Sequence, residues 1–329
     1  MATIHDVARE AGVSIATVSR SLNGQTRVSE ATRRKVIEVA RALDFAPNRN
    51  ARGLVTGRSG NVGVLVPDVT NPFFAPIVAG IEHVAQGRDM GVFLADSREA
   101  VQSEESLVRR LSQQVDGVVL VASRLPDEVL VEFSRRVPLV LVNRVVPGLS
   151  AVAVDAHQGM ADLLTEMAQL GHHTVSYLDG PEESWSGRAK LAGLREAAGR
   201  YGVDLTVLAR CAPSFAAGRD IAESVLAAEH SAVIAFDDLI AWGLLNRVQE
   251  LGVRVPEDMS IAGFDDALEE GMARPALTTV SPQGASMGAI ASQILMEALG
   301  GLDEPRVEML ACEVLMRETT APRTAPATA

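Results

Sequence analysis

The sequence predicts an all-α head of three short helices, followed by an α/β body of two lobes that are each built on a parallel sheet. Three observations support this fold class. Apolar residues at helical spacing fill the first 45 positions. From residue 61 onward, short apolar runs alternate with helical patterns, which is typical of parallel sheets covered on both faces. These runs are too numerous for one sheet, so we expect two lobes.

The head is predicted to begin with a helix-turn-helix. Thr3 and Asp6 form a capping pair before the first helix, which Gly12 ends, and Ser14 caps the second helix. A third apolar-periodic run follows Ser29 and closes a small core. Two short helices joined by a glycine-containing turn are a common DNA-binding motif.

The second of these helices carries side chains that suit a major groove. Ile15 and Ala16 allow close approach and contact with thymine methyl groups, and Arg20 offers a bidentate donor for guanine. The alternative interpretation is a generic three-helix scaffold with a solvated polar face.

Charge divides along the chain in the same way. The net charge of the 329 residues is −12, yet residues 1–58 hold 10 Lys and Arg against 5 Asp and Glu. A basic head on an acidic body indicates that only the head meets a polyanion, while the body favours solubility.

Residues 46–59 are predicted to link head and body. Leu54 is the large apolar side chain at the centre of this segment, and Arg49, Arg52 and Arg58 surround it. A lone leucine among arginines can act as a wedge between base pairs, most easily at a pyrimidine-purine step such as CG, with the arginines on phosphates. The alternative is a flexible linker.

In the body, the residues directly after each apolar run are the candidate ligand contacts. Ligands of open parallel sheets bind outside the carboxyl ends of the strands. Aromatic, acidic, amide and basic side chains together fit a sugar or a nucleoside, although Asp237 and Asp266 could equally cap helices and Phe74 could belong to the core. The candidates are Asp68, Asn71, Phe73, Phe74, Asn143, Arg144, Asp179, Asp237, Asp238, Asp265 and Asp266.

Three stretches carry a family resemblance: TIHDVAREAGVSIATVSRSLNG (3–24), VSEATRRKVIEVARALDFAPNRNARGL (28–54) and GNVGVLVPDVTNPFFAPIVAGIE (60–82). They resemble the LacI-type, lactose-repressor-like family of bacterial transcription regulators, and the likeness extends over nearly the whole chain. It implies a repressor that binds a pseudo-palindromic operator in double-stranded DNA as a homodimer. It also implies a periplasmic-binding-protein-like body that holds a small, carbohydrate-like effector.

The resemblance assigns DNA contacts to the head and the link. Major-groove positions fall in the second helix, phosphate contacts at its polar positions, and minor-groove contacts in a hinge helix within the link. With the two capping residues and one linker arginine, the predicted set is Thr3, Ser14, Ile15, Ala16, Thr17, Ser19, Arg20, Asn23, Ala51, Arg52 and Leu54.

The resemblance also assigns effector contacts, with departures from the family pattern. Lys190 stands where the family has arginine, Asn143 where it has aspartate, and SPQG at 281–284 inverts the usual Gln-Pro order. These departures leave both sugars and nucleosides as candidate effectors. The predicted set is Asn71, Phe73, Phe74, Asn143, Arg188, Lys190, Asp238 and Asp265.

The expected domain organisation follows from these assignments. The first lobe and the second lobe are expected to share the C-terminal strands, and the tail is expected to be disordered. The boundaries are 1–45 for the helix-turn-helix domain, 46–59 for the hinge, 60–318 for the body, about 60–156 and 281–305 for its first lobe, about 157–280 for its second lobe, and 319–329 for the tail.

Other functional classes are disfavoured. The sequence has no nucleophile elbow, P-loop, GxGxxG after a first strand, or His and Cys cluster, so we expect no enzyme, no cofactor and no metal. Without a signal peptide or a membrane span, we expect a cytoplasmic, nucleoid-associated protein and neither a secreted solute-binding protein nor a membrane partner. The tail lacks a leucine heptad, which favours a dimer over a tetramer. A regulator controlled by a protein co-regulator on the outer face of the first lobe remains the alternative.

Overall fold

A computed structural model describes residues 2–22, 28–45, 58–268, 271–302 and 304–323. The chain divides into two compact units, Met1–Gly60 and Asn61–Ala329. Four of the predicted DNA contacts lie outside the described residues: Asn23, Ala51, Arg52 and Leu54.

The first unit contains the predicted helix-turn-helix. Its helices are α1 (Ile4–Ala11), α2 (Ile15–Leu22) and α3 (Glu30–Ala42). The Thr3 hydroxyl accepts from the Asp6 amide and the Asp6 carboxylate accepts from the Thr3 amide, so the predicted capping pair is confirmed. Gly12 ends α1 at a φ of +68°, a backbone conformation that favours glycine. Val7, Val18 and Val36 are fully buried between the three helices.

The first lobe of the body is a six-stranded parallel sheet with the strand order β11-β5-β4-β3-β1-β2. Most of its strands are continuous apolar runs because helices cover both faces. Its elements are β1 (Asn61–Val66), α4 (Phe74–Gln86), β2 (Gly91–Asp96), α5 (Val101–Leu111), β3 (Gly117–Val121), α6 (Asp127–Ser134), β4 (Leu139–Val142), β5 (Ser150–Val154), α12 (Gly284–Leu299) and β11 (Val307–Leu310).

The second lobe is a four-stranded parallel sheet with the order β7-β6-β8-β9. An antiparallel pair, β10 (Thr279–Ser281) and β12 (Glu313–Leu315), lies where the chain passes between the lobes. The second-lobe elements are α7 (Ala156–Gln169), β6 (Thr174–Asp179), α8 (Trp185–Tyr201), β7 (Asp204–Arg210), α9 (Phe215–Asp220), α10 (Ala222–Ala227), β8 (Ala232–Ala235), α11 (Asp238–Glu250) and β9 (Ser260–Ala262).

Two local predictions of the body differ from the structure. β7 does not follow the pattern of short buried apolar runs, because it lies at a sheet edge and only partly buries its side chains. β4 and β5 form a parallel pair although only residues 143–149, without a helix, connect them. The two-lobed architecture with a parallel sheet in each lobe agrees with the prediction.

The expectation of a disordered tail from residue 319 is wrong for 319–323. Thr319 is fully buried, its amide donates to the Ala276 carbonyl, and its own carbonyl accepts from the Ile261 amide. The Arg323 amide donates to the Leu170 carbonyl. The low-complexity sequence of this segment favours disorder, whereas the backbone groups of Thr319 and Arg323 are hydrogen-bonded to the second lobe.

Membrane-spanning helices are not found in the part of the chain that the structure describes.

Candidate functional site

One face of α2 is exposed along its length. Ile15 is 41% exposed, and Ala16 and Arg20 are exposed as well, while Val18 and Ser21 point into the core of the head. This division follows from helical periodicity, because residues 18 and 21 lie on the face opposite 16 and 20. The three predicted base-contacting residues therefore share an accessible surface.

The polar residues around the start of α2 are held by local hydrogen bonds. The Ser14 hydroxyl accepts from the Thr17 amide at 3.1 Å and lies 2.9 Å from the Thr17 hydroxyl. Thr3 is engaged in the same way with Asp6 at the start of α1. Both Thr3 and Ser14 thus act as helix caps, and they orient the first turns of the two helices.

A second candidate site is the cleft between the two lobes of the body, where strand ends of both sheets meet. The space left between its walls is narrow, about 40 Å³. First-lobe residues follow β1, β2, β3 and β4, and second-lobe residues follow β6, β7, β8 and β9. The lining residues are Pro67, Asn71, Phe73, Phe74, Glu99, Ala122, Arg124, Asn143, Ser184, Ser186, Lys190, Pro213, Phe236, Asp237 and Asp265.

Three buried side-chain oxygens at this cleft have no hydrogen-bond partner among the described residues. One of them, Oε2 of Glu99, forms an ion pair with Arg124. The two that remain are Oδ1 of Asn143, from the first lobe, and Oδ2 of Asp237, from the second. The other carboxylate oxygen of Asp237 accepts from the Ile240 amide at 2.8 Å and caps α11. Buried polar groups are normally paired, so these atoms indicate where a ligand would bind.

Lys190 is held inside the second-lobe wall. Its Nζ donates to the Phe236 carbonyl at 2.8 Å and lies 3.8 Å from an Asp265 carboxylate oxygen. The same atom lies 4.3 Å from the centroid of the Phe236 ring and 3.7 Å from that of Phe264. One carboxylate, one carbonyl and two aromatic faces thus stabilise a cation that is almost completely buried.

Burial raises the pKa of several carboxyls at the cleft. It brings the pKa of Asp237 to about 6 and holds that of Asp265 well above its ordinary value, although the Lys190 cation opposes the shift. The pKa of Glu99 is also raised by burial, with its ion pair to Arg124 acting in the opposite direction. Loss of water around a carboxylate therefore outweighs the nearby cations at each of these groups.

The backbone is strained where four lining residues meet the cleft. Glu99, Ala122, Asn143 and Asp265 have φ values of +60°, +47°, +58° and +114°. Such conformations are uncommon for residues other than glycine and recur at binding sites, because they turn a side chain or a backbone group toward a ligand.

The structure brings six of the eight predicted effector residues to the cleft. Two others lie elsewhere. Arg188 is exposed on α8, and its guanidinium donates to the Glu183 carbonyl at 3.4 Å. The six residues at the cleft are Asn71, Phe73, Phe74, Asn143, Lys190 and Asp265.

Asp238 is the second residue that lies away from this cleft. One of its carboxylate oxygens accepts from the Thr279 hydroxyl at 2.6 Å and the other from the Ala267 amide at 2.8 Å. Burial raises its pKa to about 7. Asp238 thus ties α11 to β10 and to the loop that carries Asp265.

Sequence reasoning omitted several residues at the cleft from the effector set. Asp237 lies two residues after the end of β8, so its position after a strand is a usable signal, but the predicted set contains its neighbour Asp238 instead. Glu99 and Arg124 each lie three residues beyond a strand end and come to the cleft only through the local turns. Groups of His, Cys, Asp or Glu able to hold a metal ion do not occur among the described residues.

Family models match both units of the chain. A model described as "Bacterial regulatory proteins, lacI family" covers residues 3–48, and one described as "Periplasmic binding protein-like domain" covers residues 164–320. Catabolite control protein A of Streptococcus mutans is 34% identical over 90% of this chain and 91% of its own length. The HTH-type transcriptional repressor CytR of Escherichia coli is 32% identical over 97% of this chain and 96% of its own length.

Solved structures show the same architecture. The lac repressor dimer bound to operator and the anti-inducer ONPF has a TM-score of 0.88 at 26% identity, covering 97% of this chain and 99% of its own. The transcriptional regulator CelR in complex with cellobiose has a TM-score of 0.71 at 29% identity, covering 97% and 100%. A LacI family regulator from Enterococcus faecium with bound ribose has a TM-score of 0.72 at 26% identity, covering 80% and 100%.

Proposed function

The chain belongs to the lacI family of bacterial regulatory proteins and is a DNA-binding transcription regulator, and on this premise we propose that it is a repressor controlled by a small molecule. In this proposal a homodimer binds a pseudo-palindromic operator. A carbohydrate-like or nucleoside-like effector binds in the cleft between the lobes and switches that binding.

The exposed face of α2 supports the DNA part of the proposal. The small side chain of Ala16 lets the helix backbone approach base edges, and Ile15 offers an apolar contact for a thymine methyl group. Arg20 provides the long donor, also exposed. The proposed hinge residues Ala51, Arg52 and Leu54 would add minor-groove and phosphate contacts. Two half-sites require two heads, which is why we propose a homodimer.

The observation that carries the effector part is the pair of unpartnered buried atoms at the cleft, Asn143 Oδ1 and Asp237 Oδ2. They belong to different lobes, so one ligand that binds both would hold the lobes at a defined separation. Similar regulators were solved with cellobiose and with ribose, which supports a carbohydrate as the effector.

A coupled experiment tests the proposal. An operator is first selected from random double-stranded DNA with the full-length protein. Sugars, nucleosides and their phosphates are then screened by thermal shift, and each compound that raises the Tm is added to the operator complex. We expect at least one such compound to change operator affinity by about 5- to 150-fold. If the protein binds the operator but no compound changes the operator affinity, the result favours control by a protein co-regulator over control by a small molecule. Failure to select an operator would contradict the proposed repressor.

A further inference from the structure

The unsatisfied polar atoms of the cleft are hydrogen-bond acceptors. Asp237 Oδ2 belongs to a carboxylate, which only accepts when ionised, and Asn143 Oδ1 is an amide oxygen. A buried acceptor without a donor is costly. A ligand that fits these atoms must therefore bring N–H or O–H groups to both lobes.

The two cations that line the cleft, among the described residues, are already engaged. The Lys190 ammonium donates to the Phe236 carbonyl and faces Asp265 across 3.8 Å. The Arg124 guanidinium forms an ion pair with Glu99. Asp237 is the third acidic side chain of the lining, after Glu99 and Asp265, against the two basic side chains. The formal charge of the cleft therefore does not favour an anion.

The helix starts at the cleft are also occupied. α4, α8 and α11 all begin there, and helix N-termini commonly bind anionic groups. The side-chain oxygen of Asn71 accepts from the Phe73 amide at 3.0 Å at the start of α4. The Ser184 hydroxyl accepts from the Gly187 amide at 3.0 Å at the start of α8. The Asp237 carboxylate accepts from the Ile240 amide at the start of α11. Oxygens of the protein itself thus hold the positions that a phosphate would take.

Aromatic rings complete the wall. Phe73 and Phe74 pack edge to face with centroids 5.1 Å apart, and Phe236 lines the cleft from the other lobe. Such rings pack against the C–H face of a polyol, while its hydroxyl groups remain at the edge to donate.

From these observations we propose that the effector is a neutral, hydroxyl-rich small molecule without phosphate or carboxylate groups. This inference rests on the proposed function of the cleft and narrows its ligand class. The phosphate of a phosphorylated sugar would bring further negative charge close to Asp237 and Asp265. The cations and amides that could bind this phosphate are already paired within the protein.

Matched pairs of probes test the ligand class. Calorimetry with the full-length protein compares D-ribose with ribose 5-phosphate, D-glucose with glucose 6-phosphate, and uridine with uridine 5′-monophosphate. We expect a neutral member to bind and its phosphate to bind roughly 100-fold more weakly. A phosphate that binds as tightly as its neutral partner overturns the inference but leaves the proposed function intact. Binding by none of the six, together with no rise in Tm from any compound of the wider screen, contradicts the proposed function itself.

Two variants locate the binding in the cleft. Asp237→Asn keeps an oxygen to cap α11 but places N–H donors where the free acceptor lies, so we expect neutral-probe affinity to fall at least tenfold. Asn143→Gly removes the other acceptor and tolerates the φ of +58° at that position, and it should give a similar loss. Asp220→Asn, at an exposed carboxylate of the same lobe, is the control. Unchanged affinity in both cleft variants would overturn the inference, whatever the folding of either one.

Discussion

At the residue scale, a substitution of Arg20 distinguishes recognition of specific bases from non-specific binding to DNA. Arg20 is the long donor on the exposed face of α2, so we expect Arg20→Ala to cost about 1–3 kcal/mol per half-site on the selected operator. Affinity for random DNA should change little, because phosphate contacts remain. Fluorescence anisotropy on both DNAs measures the difference, and Arg41→Ala, an exposed arginine of α3, is the control. Equal losses on operator and random DNA would contradict the assignment.

Lys190 illustrates how a buried cation depends on its neighbours. Lys190→Met keeps much of the side-chain volume but leaves Asp265 without its counter-charge and the Phe236 carbonyl without its donor. We expect the free energy of unfolding in urea to fall by about 3 kcal/mol. The fall should be smaller at acidic pH, since burial already raises the pKa of Asp265 and its protonation removes the unpaired charge.

Arg188→Met provides a matched control for Lys190→Met. Arg188 lies two positions earlier on α8 and is exposed. Its loss should change the unfolding free energy by less than about 0.5 kcal/mol. If the two variants unfold alike, the ring and carboxylate contacts of Lys190 do not stabilise the lobe.

At the element scale, glycines set how closely neighbouring helices approach. A Cβ at Gly193 of α8 would lie 2.0 Å from the His157 carbonyl of α7. Gly288 of α12 meets the Ile77 carbonyl of α4 at the same distance, and Gly243 of α11 meets α9 in the same way. Backbones in such contact cannot separate without opening the core that both helices cover.

Two substitutions in one helix test this packing. Gly193→Ala should destabilise the body by about 3 kcal/mol, because the added methyl forces α7 and α8 apart. Gly199→Ala in the same helix has no atom within 4 Å and should stabilise by up to about 1 kcal/mol through helix propensity. Urea unfolding of both variants measures the signs. A stabilising effect of Gly193→Ala would show that propensity, and not interhelical distance, governs α8.

At the scale of the whole molecule, we expect the proposed dimer to use the β2 edge of the first-lobe sheet. Phe93 and Leu94 are 41% and 48% exposed although they are successive residues that point to opposite faces. The other edge, β11, exposes Met309 but carries an ion pair of Arg306 and Glu308, and edge charges discourage pairing. Leu94→Glu should therefore yield monomers in sedimentation velocity, while Met309→Glu should remain dimeric. Monomers with Met309→Glu and dimers with Leu94→Glu would instead assign the interface to β11.

The stability of the body should fall as pH rises from 6 to 8. Burial brings the pKa of Asp238 to about 7, whereas the unfolded carboxyl titrates near 4. The folded state therefore binds more protons between these values, and the stability it gains below pH 4 is lost as pH rises through about 7. Urea unfolding at pH 6 and pH 8 measures this decline.

Asp238→Asn tests the origin of that decline. The amide cannot titrate, so the loss of stability from pH 6 to pH 8 should be smaller than in the wild type. Part of the pH dependence should remain in this variant, because the pKa of Asp265 is also raised. Asp258→Asn is the control, because the pKa of this exposed carboxyl is lowered by Arg254 and it titrates far below the window. Identical pH dependence in wild type and Asp238→Asn would contradict the assignment.

Local patterns in the sequence were enough for the elements and the fold class. Thr3, Gly12 and Ser29 act within a few residues of their own position, so the head helices follow from capping and periodicity alone. The buried strands are continuous apolar runs for an equally local reason, since both faces of each sheet are covered. Local patterns do not predict β7 or the ordered residues 319–323, because contacts with segments far away in sequence order both of them.

The candidate cleft needed the tertiary structure. The sequence alone determined that polar residues follow the strands. Six of the eight residues predicted to contact the effector lie at the cleft. Only the fold decided that Asp237 faces the cleft while Asp238 turns to Thr279, and that Lys190 is buried while Arg188 is exposed. Neighbouring residues of a chain leave a strand or helix in different directions, and what each one meets depends on elements distant in sequence.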